Sequence, residues 1–155
     1  MAAALPPPEV QARIVCSIQE AQHYGIPPAV MLAVAQIEGG RPGQAVRNKN
    51  GSFDLGPMQL NTSWLVTLRP YGVDPRWALA RGCYPYQLAA WRIHNHVVQD
   101  RGDYWTRVAN YHSRTPVYNR PYRAQVIVSA TRWNSWLQRL QAAQLQQARA
   151  QEGAP

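Results

Sequence analysis

The chain has no run of eighteen or more apolar residues, the length a membrane-spanning helix requires, so no such helix is expected. It is also poor in acid. Eight Asp and Glu stand against sixteen basic residues, for a formal charge of +8, and Lys49 is the one lysine among the sixteen. The four histidines include no HExxH, and His94 and His96, two apart, point away from each other on a helix, so neither a metal site nor a cofactor is expected. There is one Phe beside six Trp and eight Tyr, a balance that suits amphipathic rings lining a wet groove as well as a core. The two cysteines, Cys16 and Cys83, leave two options open. In an oxidising compartment they close a long loop, stabilising the fold by on the order of 4 kcal/mol; in a reducing one they are buried thiols.

The basic excess asks for an anionic partner, and charge alone does not choose among nucleic acid, anionic lipid and cell-wall polymer. The arginines, from Arg69 through Arg101 to Arg132, are scattered and form no block, which argues against a nucleic-acid stripe. At 155 residues the chain is expected to be one domain burying roughly 70% of its unfolded surface. Residues 1–8 read as a leader remnant: ALPPP resembles the stub beside a signal-peptidase site, implying an exported chain with an added Met. Residues 9–140 read as the domain, and 141–155 as a polar, Gln-rich tail that frays.

Helix signals recur and strand signals are weak. Val10, Ile14, Ile18 and Ala21 predict a first helix over 9–24, stopped at Gly25. Pro28 opens a second with no clean polar face, hence central and buried. Residues 41–60, with NKNGS, predict a long loop or short hairpin. Further helices are expected over 61–68, 85–101 and 103–113, then from near Pro121, where Val126, Ala130, Trp133, Leu137 and Leu140 form one apolar stripe read as core.

Glu38 ends the apolar run AVMLAVAQIEGG. On a helical wheel Met31, Val34 and Ala35 share its face and offer no hydrogen bond, while the following glycines place it in the last turn, where the helix dipole opposes an anion. Both effects raise its pKa. An acid that keeps its proton near neutrality can protonate a leaving-group oxygen, as glycosidic cleavage requires. Downstream, GSFDLGPMQLN sets the amides of Gln59 and Asn61 beside the apolar Met58 and Leu60, a mixture suited to sugars. Tyr111, in VANYHSRTPVYN, places a phenol at a helix end within reach of the acid. His112 reads as a surface or loop-anchoring residue.

IEGG, GSFDLGPMQLN and ANYHS, in that order, resemble the goose-lysozyme-like (SLT) domain of bacterial lytic transglycosylases, particularly the small exported forms that accompany conjugation, secretion and pilus systems. The resemblance covers about residues 16–122. It implies a mainly α, lysozyme-like fold, a periplasmic location and cleavage of the MurNAc–GlcNAc bond of peptidoglycan to a 1,6-anhydro end. It carries Glu38 to the catalytic acid/base, Met58 and Gln59 to the groove-lining pair, Tyr111 to a tyrosine near the acid and Ser52 to a polar contact. Cys16 and Cys83 look like a cysteine pair of that subgroup. Two positions depart from the pattern: Gly39 stands where Ser is common, and ANYHS replaces YNAG.

Hydrolytic glycosidases use two carboxylates. Here the second is hard to find, since Asp54 in GSFDLG reads as a turn residue bonding its own backbone. A single acid that also serves as base fits the anhydro-forming reaction. The alternatives are a muramidase using Asp54 to position water and a non-catalytic wall-binding module. The expected partners are glycan strands and a secretion, conjugation or pilus component, with no nucleic acid.

Overall fold

A computed structural model describes residues 5–154, so residues 1–4 of the expected leader remnant and residue 155 of the tail lie outside the described residues. Two helices open the chain, α1 (Pro8–Tyr24) and α2 (Pro28–Glu38), each with proline in its first turn, where the missing N–H costs nothing. Each ends on a left-handed glycine, Gly25 at φ 67° and Gly39 at φ 56°. Residues 29–35 of α2 are all buried, and the helix packs between α1 and the last helix. Met31, Leu32 and Val34 are fully enclosed, each contributing about 1.5–3 kcal/mol by leaving water.

The predicted loop or hairpin is a small antiparallel meander of β1 (Ala45–Arg47), β2 (Phe53–Leu55) and β3 (Leu60–Asn61), in that order. NKNGS makes the first turn: the Gly51 N–H donates to Asn48 O at 3.0 Å, and Asn50 Oδ1 accepts from the Ser52 N–H and hydroxyl. The register pairs Asp54 with Val46 on one side and Asn61 on the other. Asp54 is therefore a strand residue whose carboxylate accepts from Asn61 Nδ2 at 2.9 Å, where a turn residue bonding its own backbone was expected. Asn61 also caps the short α3 (Thr62–Leu65) by accepting from the Ser63 N–H.

Two 3-10 segments, Val66–Tyr71 and Pro75–Leu79, lead to α4 (Tyr84–Gln99), α5 (Tyr104–Ala109) and α6 (Pro116–Glu152). Cys16 of α1 is disulfide-bonded to Cys83 at the head of α4, closing a separation of 67 residues. Chain-entropy arguments put that closure at about 4 kcal/mol. Among the described residues no helix is long and apolar enough to cross a membrane.

α6 departs most from expectation. It starts at Pro116, carries Pro121 inside its second turn, and continues to Glu152 through the segment expected to fray. Its apolar stripe is core only over Tyr122, Val126 and Ala130; Leu140 and Leu145 are exposed. The reason is length. A helix of 37 residues extends about 55 Å at 1.5 Å per residue, farther than one small domain can cover. The whole is a mainly α, lysozyme-like domain with its small sheet set beside the end of α2.

Candidate active site

Two glycines place the glutamate. Gly39 turns the chain out of α2, its N–H donating to Ala35 O at 3.0 Å. Gly40 then lies against the β2–β3 turn: a Cβ there would sit 2.0 Å from Gly56 O and 2.7 Å from Gln59 Nε2. No residue with a side chain fits that gap. The Gly40 N–H donates to Pro57 O at 3.2 Å, so the end of α2 and the 56–59 turn form one unit with Glu38 beside it.

The carboxyl of Glu38 is half-buried by accessible surface, but the atoms crowding it from α2, α4 and α6 are enough for burial to control its titration. Its pKa rises from 4.5 to about 7. Burial is the largest cause; the Tyr122 hydrogen bond pulls the other way, the charge of Asp54 adds to the rise, and Arg92 opposes it. Tyr122 OH donates to Glu38 Oε1 at 2.7 Å, across 84 residues of sequence. That phenol comes from α6, one turn before Val126 on the buried stripe. Extending the stripe back to Tyr122 would have found it, since tyrosine on a core face needs a partner for its hydroxyl.

Glu38 opens onto a cleft of about 850 Å³ whose lining includes Asp54, Gln59, Asn61, Arg92, Tyr111 and His112. Several side chains sit differently from their sequence reading. Tyr111 is buried and its hydroxyl donates to Met58 O at 2.6 Å, so it fastens the sheet turn and is not the acid's partner. Met58 has no exposed surface; its side chain belongs to the core, leaving only its carbonyl, which Tyr111 occupies. A groove-lining side chain was expected there. Gln59 does reach the cleft, held at φ 49° with Nε2 donating to Gly56 O at 2.9 Å. Asn61 lines it too, but its Nδ2 bridges Ser52 Oγ and Asp54 Oδ1 at 2.9 Å each, while its Oδ1 caps α3. Ser52 lies behind Asn61 and orients it.

His112, read as a surface anchor, stacks flat on Tyr122 with ring centroids 4.7 Å apart and an interplanar angle of 6°. Burial lowers its pKa, keeping the ring neutral at neutral pH. The loop carrying Tyr111 and His112 is fixed from below. Asn119 Nδ2 donates to Asn110 Oδ1, Ser113 O and Thr106 O, and Asn110 Nδ2 donates to Asp100 at 2.9 Å. Arg92, Trp64 and Tyr122 are thus cleft residues, or neighbours of its acid, that sequence reasoning did not single out, and His112 is one that it read as a surface or loop anchor.

Fold and site together define a class: a lysozyme-like helical domain with one proton-retaining glutamate in a polar cleft. No protein-family model matches the chain. Over 101 residues it is 31% identical to Protein IpgF of Shigella flexneri, covering 64% of this chain and 66% of that protein. Over 101 residues it is 29% identical to Invasion protein IagB of Salmonella typhimurium and of Salmonella typhi, covering 64% of this chain and 62% of theirs. The chain spans just under two thirds of the length of these curated relatives.

Proposed function

We propose that the protein is a peptidoglycan lytic transglycosylase cleaving the MurNAc-β-1,4-GlcNAc bond, with Glu38 as both acid and base. The observation that carries this reading is a carboxyl with a pKa of about 7 facing a roomy, polar-walled cleft. Such a group is half protonated near neutrality and can give a proton and take one back.

Glu38 transfers its proton to the glycosidic oxygen as the bond to the muramyl C1 breaks, and the sugar's own N-acetyl group stabilises the cation. The Glu38 carboxylate, steadied by Tyr122, then removes the proton from the muramyl 6-hydroxyl. O6 closes on C1, giving the 1,6-anhydro ring and returning Glu38 to its acid form. No water is consumed, and proximity within one sugar supplies the nucleophile. Gln59 and Asn61 offer amide contacts to hydroxyl and N-acetyl groups. The disulfide supports an exported, periplasmic setting. Likeness to an invasion protein supports a role in opening the wall locally for an envelope-spanning machine, whether of secretion, conjugation or pilus type.

One observation favours a second reading. Asp54 lines the same cleft and influences Glu38, so a hydrolase in which Asp54 positions water also fits. Mass analysis of fragments from purified peptidoglycan separates the two. Anhydro-muramyl ends are expected from the native protein and none from Glu38→Gln; reducing ends would assign the hydrolase, and release of no fragments by either form would leave a binding module.

A further inference from the structure

Among the described residues Arg92 has no hydrogen-bond or ion-pair partner. It projects from α4 into the cleft that holds Glu38, and its guanidinium carbon lies 4.8 Å from the ring centre of Trp64 and 5.1 Å from that of Tyr111. Among the described residues it takes part in no ion pair, and its buried Nε has no hydrogen-bond acceptor. Other arginines behave differently: Arg114 meets Asp100 at 3.0 Å and Arg76 meets Asp74 at 2.7 Å. Burial lowers the pKa of Arg92, as expected of a cation held without a counter-ion.

Contact with two aromatic faces returns part of the cost of withdrawing a guanidinium from water, but leaves its in-plane N–H donors unused. A methionine would fill the same slot between the rings without that cost. The two rings instead hold the guanidinium in place, which preorganises its fork of donors for a planar anion. Lys49 lines the cleft as well, adding a second positive charge.

Resting on the proposed cleavage of peptidoglycan, we infer that Arg92 forms a carboxylate-binding subsite, which receives an acidic group carried on the lactyl arm of the muramyl residue. On strands with peptides the group is a carboxylate of the attached peptide, and on strands without them it is the free lactyl carboxylate. Its arrival has a second effect. Arg92 favours the ionised form of Glu38, so an anion pairing with Arg92 weakens that pull and leaves Glu38 holding its proton more firmly. Binding of the correct strand thereby prepares the acid for its first step.

The test uses three glycan substrates: native strands with peptides, the same strands with carboxyl groups converted to amides, and peptide-stripped strands with free lactyl carboxylates. Native protein is expected to lose roughly tenfold or more in kcat/KM on amidated strands, mainly through KM. Activity retained on stripped strands shows that a free lactyl carboxylate can also fill the subsite, and its loss restricts the subsite to a carboxylate of the peptide. Arg92→Gln should fall to the amidated level on every substrate and cease to discriminate, with Arg92→Lys between. Equal cleavage of native and amidated strands by the native protein overturns the subsite while leaving the transglycosylase reading intact. Cleavage of neither strand overturns both. The amidation arm needs no variant, so a folding defect in Arg92→Gln leaves the comparison in force.

Discussion

Glu38 and Asp100 stand at matching places, one ending α2 and the other capping α4, where the negative end of a helix opposes an anion. They titrate in opposite directions. Glu38 rises to about 7, and Asp100 falls to about 2. Burial raises both, and at Asp100 it is the largest single influence, yet the combined hydrogen bonds from Arg114, Asn110 and His96 outweigh it. Among the described residues Glu38 has one side-chain donor, Tyr122, and a neighbouring negative charge. The number of donors decides which carboxyl is a fixed strut and which is free to exchange a proton.

Glu38→Gln removes the proton while keeping shape and an acceptor for Tyr122. Cleavage of peptidoglycan should fall by about 10²–10⁴, the usual contribution of a general acid and base. Native activity should itself decline above about pH 7 as Glu38 ionises. A rate flat from pH 5 to pH 9 would remove Glu38 from the acid's role.

The same pair should separate in stability. A carboxyl whose folded pKa is raised, from 4.5 to about 7, costs nothing below 4.5 and destabilises increasingly up to pH 7, reaching about 3 kcal/mol. Glu38→Gln should therefore match the native protein at pH 4 and exceed it at pH 8 in urea unfolding. Asp100 is depressed from 3.8 to about 2, so its contribution is complete above pH 4 and is lost as pH falls toward 2. Asp100→Asn should lower stability by about 1–3 kcal/mol at pH 7, since His96 and Arg114 lose an ionised acceptor. Shifts of the same sign at pH 8 would mean that burial alone, and not donor count, governs both sites.

The two carboxyls were unequally legible in the sequence. Glu38 stood out because an acid interrupts an apolar helix and two glycines follow it, signals contained within one dozen residues. The first two helices and their caps were local in the same way. Asp100 gave no such signal, because its donors come from three separate places, His96 within α4, Asn110 after α5 and Arg114 before α6. Tyr122 was missed for the same reason. Spacing told that Tyr111 lay near a helix end, but not that its hydroxyl would be taken by the Met58 carbonyl, a contact across 53 residues. Met58 was misplaced because the amphipathic look of PMQLN does not reveal which side chains the β2–β3 turn sends inward. The full length of α6 was hidden by composition, since a Gln- and Ala-rich segment is polar enough to fray yet has adequate helix propensity to continue.

The smallest expected effect asks the most of the comparison. Tyr122→Phe deletes the one side-chain donor to Glu38 and keeps the ring on which His112 stacks. Losing a hydrogen bond to the ionised form should raise the Glu38 pKa further, moving the alkaline limb of kcat up by about one pH unit. The rate at the optimum should fall roughly tenfold, because the carboxylate formed in mid-reaction loses its stabiliser. Tyr111→Phe serves as the control: its hydroxyl bonds the Met58 carbonyl, so its removal should lower stability by about 1 kcal/mol and leave the limb where it is. If the two variants shift the limb equally, the tuning of Glu38 is a property of the whole cleft and not of a single donor. If only Tyr122→Phe does, the count of donors, one at Glu38 against three at Asp100, is what separates the two carboxyls.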